Sequence, residues 1–257
     1  MADLTGKTAI ITGASRGIGA ATARHLAELG AHVVLAARSE GAISTLAEEI
    51  TSAGGKALAV GCDVGAQASV EALIEKTKSW SGQIDLLVNN AGLIDPIARI
   101  DESDPEAWGH VVDVNLKGVY YGIRFALPHM LSQAAGGTII NISSGAATGA
   151  LEGWSHYCAT KAAVLSLTKC TDVEYRDKGI RVMGLSPGTV ATEMQVQIKA
   201  SGINPVSQLD PNVHIPPEWV AQAIAWMTTA QADDYRGTDL SLRADEARKA
   251  IGLPLAG

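Results

Sequence analysis

Short apolar runs, each followed by a longer amphipathic segment, alternate along this chain and constrain its fold more than any single motif does. The runs are KTAIIT (7–12), AHVVLAA (31–37), KALAVG (56–61), IDLLVNN (84–90), GTIINIS (137–143) and IRVMGLS (180–186), with TDLSL (238–242) as a seventh. Near-continuous apolar character without polar alternation marks strands buried on both faces, as in a parallel sheet. The segments near 17–29, 40–53, 67–80, 104–132, 155–177 and 217–229 read as helices. Such alternation predicts right-handed crossovers and a doubly wound α/β Rossmann fold, with a seven-stranded parallel sheet and helices on both faces. Ligands of such sheets bind beyond the carboxyl ends of the strands, where strand order reverses. The motifs after strands one, four, five and six are therefore expected to converge on one cleft.

No break in composition divides the 257 residues, so 1–257 is expected to form one domain. The one long irregular stretch is EMQVQIKASGINPVSQLDPNVHI, about 193–215, and a loop of that length predicts a lid or binding element over a substrate. A net charge of −7 with no basic run excludes a nucleic-acid partner. No apolar run approaches the length of a membrane span, and the start MADLTGKTAIITG is no signal peptide. Cys62, Cys158 and Cys170 have no paired spacing, which fits a reducing, cytoplasmic setting. The six histidines show no metal-ligand spacing, so no metal is expected. His156 is expected to be solvated, Cys158 to be a packing residue, and NIS at 141–143 to be a buried strand rather than a glycosylation site.

The stretch TGASRGIG (Thr12–Gly19) follows the first strand and opens the first helix. Without Cβ atoms, Gly13, Gly17 and Gly19 let the backbone turn tightly and approach a pyrophosphate at a helix N-terminus. The spacing is GxxxGxG rather than the usual GxGxxG of dinucleotide sites. NAD sites commonly carry an acid at the end of the second strand. Here that end reads LAARSE, with Arg38 at the tip and Arg16 projecting from the glycine loop. Two guanidinium groups suit a 2′-phosphate, so NADP(H) is preferred over a still possible NAD(H).

Tyr157 and Lys161 stand one helical turn apart in GWSHYCATKAA and so share a face. Lowering a phenol from about 10 to about 7 requires roughly 4 kcal/mol. A fixed cation about 4 Å away supplies about that much at an effective dielectric near 20. Tyr157 is then expected to donate a proton in carbonyl reduction and accept one in alcohol oxidation. Ser144, thirteen residues earlier at the end of the fifth strand, is placed to hold the carbonyl oxygen.

Taken together, TGASRGIG, Asp63 in CDV, NNAG at 89–92, Asn115 in VNLKG, Ser144 in NISSG, YCATK at 157–161 and SPGTVAT at 186–192 resemble the short-chain dehydrogenase/reductase family, in its single-domain branch. The resemblance covers roughly residues 5–195. GWSHYCATKAA with ATEMQ is most similar to its sepiapterin and benzil reductases. It implies a catalytic set of Asn115, Ser144, Tyr157 and Lys161, with Lys161 also on the nicotinamide ribose and Asn115 anchoring a water. It further implies that Ser15 and Ile18 join the glycine loop's contacts, that Asp63 and Val64 meet the adenine, and that Asn90, Ala91 and Gly92 lie near the adenosine ribose. Pro187 and Gly188 turn the chain so that Val190 and Thr192 reach the carboxamide. Ile94, Leu151, Trp154 and Met194 are the implied substrate contacts, and a homodimer or homotetramer is the implied assembly. The chain departs from the family at its end: GTDLSLRADEARKAIGLPLAG replaces the usual GxxLxVDGG.

The expected activity is NADP(H)-dependent reduction of a small ketone or diketone, or oxidation of a secondary alcohol. A 3-oxoacyl-thioester reductase is one alternative, although such an enzyme meets an acidic carrier protein and the 193–215 segment offers only Lys199. A dinucleotide-sensing binding protein is the other, and it would have no need of Tyr157 and Lys161.

Overall fold

The structure, a computed structural model, describes residues 2–255; Met1, Ala256 and Gly257, the ends of the expected domain, lie outside it. Seven strands form: β1 (Thr8–Thr12), β2 (His32–Ala37), β3 (Lys56–Gly61), β4 (Leu86–Asn89), β5 (Gly137–Ile142), β6 (Ile180–Ser186) and β7 (Asp239–Ser241). They pair in parallel in the order β3-β2-β1-β4-β5-β6-β7, so strand order reverses between β1 and β4. The glycine loop after β1 and the NNAG turn after β4 therefore open onto the crevice where a doubly wound sheet binds its ligand.

Successive side chains of each strand go to opposite layers, as the two-residue period of a strand requires. Ile11, Val33, Leu35 and Val88 pack under α1 (Gly17–Glu28), α2 (Glu40–Ser52) and, farther along the sheet, α8 (Pro217–Met227). Ile10, Val34, Leu87 and Ile139 pack against α3 (Gln67–Ser81), α5 (Gly118–Leu131) and α6 (Ser155–Tyr175). Burial on both faces is why the central strands are largely aliphatic. A polar ladder crosses the second layer: Asn89 donates to Asn141 Oδ1 at 2.9 Å, and Asn141 donates to Thr168 Oγ1 of α6 at 2.9 Å. These buried groups have partners only in one placement of α6 on the sheet, which fixes that helix.

Four features differ from the sequence expectations. The segment 104–132 is not one helix: α4 (Pro105–Val112) passes through a π turn at Asp113–Lys117 into α5. The wide turn brings Asn115 inward, where its amide bonds both backbone groups of Leu93. The 193–215 segment begins with a regular helix, α7 (Glu193–Ser201), which stops at left-handed Gly202 and is followed by two 3-10 turns. Met194 and Ile198, one turn apart, give α7 its inner face. Strand five ends at Ile142, so Ser144 caps the short turn beyond it rather than lying in the strand. The divergent end forms a helix, α9 (Asp245–Ile251). There Arg248 donates to the carbonyls of Leu242 and Pro254 and lies 5.4 Å from the Trp219 ring of α8.

Candidate active site

The glycine loop is closed by backbone contacts that no side chain could enter. A Cβ on Gly19 would fall 2.2 Å from the carbonyl oxygen of Gly13, and Gly13 itself has a left-handed φ of 65°. Asn90 buttresses the loop by donating to the carbonyls of Thr12 and Gly13, and Ala14 N–H ties it to Ala36 of β2. The Asn90 side chain is thus turned into the loop. α1 has no side-chain cap, so no side chain takes up the N–H groups of its first turn, Gly17 to Gly19. Thr192 comes within contact distance of the position a Gly17 Cβ would take, which brings the turn after β6 against the loop after β1.

That turn holds its backbone ready. Val190 makes a parallel bridge to Ile215 in which the Thr189 carbonyl and Ala191 N–H do the bonding. In a parallel bridge the central residue's own N–H points to the opposite side. Pro187 is buried and Gly188 has φ 77°, so the chain turns sharply just before Val190. At the other end of the cleft, Asp63 accepts from Gly65 N–H, while the Val64 side chain packs in the core against Gly118. Arg16 and Arg38 are both exposed, and neither forms an ion pair among the described residues. The Glu40 carboxylate lies over Gly61 of β3, the register partner of Ala37 at the end of β2.

Asn115, Ser144, Tyr157 and Lys161 converge at the carboxyl end of β5. Lys161 Nζ donates to the Ile142 carbonyl at 2.7 Å and sits 5.5 Å from the Tyr157 ring centre. Ser144 is hydrogen-bonded to the Tyr157 hydroxyl. Asn115 and Lys161 flank Gly92, whose absent Cβ would stand 3.5 Å from Asn115 Oδ1 and 4.0 Å from Lys161 Nζ. Ala91 is partly buried beside Val64 on the floor of the cleft.

The electrostatics correct the simplest expectation from the sequence. Burial pushes the Tyr157 phenol up to about 12, with the Ser144 hydrogen bond pulling the other way, and burial pulls the Lys161 ammonium down to about 8. The ammonium does not by itself bring the phenol to neutrality, because removing both groups from water disfavours both charged forms and the ammonium's bond goes to Ile142. At neutral pH the chain's own residues therefore present a protonated phenol beside a largely protonated lysine.

An apolar wall surrounds the hydroxyl pair. Ile94, Trp154, Tyr157 and Ile198 are buried together, with Leu151, Met194, Ile97, Cys158 and Val206 packed on them. All four implied substrate residues, Ile94, Leu151, Trp154 and Met194, lie in this cluster. Trp154 packs edge-on to Tyr157 with ring centres 5.5 Å apart. Ile97, Ile198 and Val206 were not anticipated, and the only hint in the sequence was Gly153. A Cβ there, on φ 77°, would meet Ile203 and Ile97, so the glycine lets three loops close on one another. His156 is buried rather than solvated, because its Nε2 lies 2.6 Å from the Ile94 carbonyl and fastens α6 to the loop after β4. Among the described residues no cluster of His, Cys, Asp and Glu is arranged to hold a metal, and no helix is long and apolar enough to cross a membrane.

Residues 7–202 match the family model described as short chain dehydrogenase. The chain is 40% identical over 249 residues to 3beta-hydroxysteroid dehydrogenase 1 of Eggerthella lenta, covering 93% of this chain and 92% of that protein. It is 36% identical over 242 residues to glucose 1-dehydrogenase 2 of Bacillus subtilis, covering 93% of each. A solved short-chain type dehydrogenase/reductase from Mycobacterium marinum superposes with a TM-score of 0.85 at 34% identity, over 93% of this chain and 94% of that one.

The Gly19–Gly13 contact yields a direct test. Gly19→Ala is expected to weaken NADPH binding by about tenfold or more, roughly 1.4 kcal/mol, with an unchanged far-UV circular dichroism spectrum. Unchanged affinity in a titration of NADPH fluorescence would show that this loop does not hold the cofactor.

Proposed function

The chain belongs to the short-chain dehydrogenase/reductase family, and from that premise we propose that it is an NADP(H)-dependent alcohol dehydrogenase and carbonyl reductase acting on an apolar secondary alcohol or its ketone. The observation that carries this reading is the Tyr157 hydroxyl, paired with Ser144, set in a wall of aliphatic and aromatic side chains. The residues of the cleft fit a dinucleotide: Gly13, Gly17 and Gly19 leave a cradle that a Cβ would fill, and the free N–H of Val190 lies where a carboxamide can accept it. When bound, the nicotinamide supplies or takes the hydride.

The protein's own residues manage the oxygen and its proton. Ser144 and Tyr157 hold the substrate oxygen between two hydroxyls. Tyr157, protonated at neutral pH, gives its proton as negative charge develops on that oxygen, and takes one back in the oxidative direction. Lys161 places positive charge beside the phenol, so the phenolate left behind is less costly than burial alone would make it. Asn115 holds the loop after β4 through Leu93 and so keeps the wall of the site in place.

The relatives' names point to both an apolar sterol and a polar sugar as their substrates, and the apolar wall supports the first kind for this chain. A polyol needs hydrogen-bonding partners where this chain presents Ile94, Leu151, Trp154, Met194 and Ile198. An alicyclic ketone of one or a few rings is the class that fits. The 3-oxoacyl-thioester reading is less well supported: Lys199, the lid's one cation, already donates to the Leu209 carbonyl. The exposed, unpaired Arg16 and Arg38 support NADP(H) over NAD(H). Exposed Tyr120 and Val173 on α5 and α6 support a homodimer or homotetramer, and three free cysteines support a cytoplasmic setting.

Tyr157→Phe is expected to lower reduction of cyclohexanone by NADPH by about a hundred- to ten-thousandfold while leaving NADPH affinity intact. Retained turnover would remove Tyr157 from the chemistry. Arg38→Glu is expected to reverse the NADPH-to-NADH affinity ratio; an unaltered ratio would mean that Arg38 does not read the 2′-phosphate.

A further inference from the structure

One half-buried ionisable side chain near the site has no part in the mechanism above. Asp239 opens β7 in the segment where the chain departs from its family's usual ending. It is in register with Gly184 of β6, which is in register with Asn141 of β5, so its side chain leaves the sheet on the same face as Asn141, under α6. Gly184 makes this possible, because a Cβ there would lie almost on top of Asp239 Oδ1. Oδ2 accepts from Ser143 Oγ at 2.6 Å, and Oδ1 is sealed from solvent with no hydrogen-bond partner. Asp239 as a whole is half-buried, but a carboxylate oxygen sealed from water with no partner is costly unless a cation shares its surroundings.

The available cation is Lys161. Its ammonium bonds the carbonyl of Ile142, the residue before Ser143, and this one bond leaves two N–H donors. We propose that Asp239, held by Ser143, is the counter-charge of Lys161 and acts as a positioning residue for the Lys161–Tyr157 pair. The proposal rests on the reading of Lys161 as part of the active site. The attraction is reciprocal: Asp239 raises the lysine's proton affinity against the effect of burial, and Lys161 lowers that of Asp239. The other groups facing them are few. Lys169 of α6 also acts on Asp239, but it is exposed and screened by water. Tyr157 faces Lys161 from its own helix, and β6 offers only Gly184. Asp172, near Gly237, is already engaged by Arg176 and Arg236.

The sign of the effect follows directly. Without the carboxylate, nothing offsets the desolvation of Lys161, so its ammonium loses its proton at lower pH. The test is an NMR titration of 15N-labelled lysine in the protein without cofactor, with the Lys161 signal assigned by its loss in Lys161→Met. In the parent protein Lys161 is expected to titrate near pH 8. Asp239→Asn keeps an acceptor for Ser143 and nearly the same shape, and it is expected to lower that midpoint by about one pH unit. Ser143→Ala, which strips the carboxylate of its donor, is expected to move it in the same direction by less, and it carries the test alone if Asp239→Asn does not fold.

A Lys161 midpoint that stays put in a folded variant overturns the proposal, even if that variant is less stable. In turnover, the alkaline limb of kcat/KM for cyclohexanol oxidation is expected to shift to lower pH with the lysine. A shifted lysine with an unshifted turnover profile would uphold the counter-charge and instead refute the catalytic reading of Lys161.

Discussion

A single hydrogen bond, from Lys161 Nζ to the carbonyl of Ile142, ties α6 to the carboxyl end of β5, and the geometry of the site descends from it. Lys161 is only 5% exposed, so its ammonium must spend its donors inside the protein. The bond settles the height of α6 along the sheet. The Asn89–Asn141–Thr168 ladder settles its position across the strands. With both set, Tyr157 one turn earlier reaches the hydroxyl of Ser144, and the Trp154 indole closes against its ring. The catalytic face is a consequence of how buried polar groups find partners, and the apolar layers around it make those partners obligatory.

The same burial creates the chemical problem that the cleft has to solve. A phenol held near 12 is a safe proton reservoir and a poor acid, and a lysine pulled toward 8 is a weakened cation. The chain answers with charges and dipoles rather than with exposure. Ser144 stabilises the phenolate and Asp239 supports the ammonium, and a positively charged oxidised nicotinamide would add to the first effect while opposing the second. Ile94, Trp154 and Ile198 pack around the phenol ring and present an apolar surface beside it.

Much of this was legible in the sequence, for reasons that can be named. The central strands are buried on both faces and largely aliphatic, so they stand out and their alternation with helices implies the parallel sheet. The edge strands β3 and β7 are only partly buried and stand out less. Gly13 and Gly19 were legible because their backbone contacts admit no other residue. Other features depend on contacts between distant segments and leave little local trace. The π turn at Asp113–Lys117 exists because Asn115 must reach Leu93, twenty-two residues earlier in the chain. His156 is buried because the Ile94 carbonyl needs a partner, and neither residue announces the other. α7 was hidden within a segment whose Pro, Gly and Asn residues, all past Ser201, suggested loop throughout. In the protein alone the Tyr157 phenol lies above rather than below its ordinary value, because sequence spacing reports the proximity of Tyr157 and Lys161 but not their removal from water.

The central claim is that burial holds the Tyr157 phenol high until positive charge arrives beside it. Ultraviolet difference titration of tyrosinate, with Tyr157→Phe subtracted, measures this in the protein alone and in its complex with NADP+. The account predicts a Tyr157 midpoint near 12 in the protein alone and a fall of about two pH units or more in the complex. A midpoint already near neutrality in the protein alone, or one that NADP+ leaves unmoved, would contradict it.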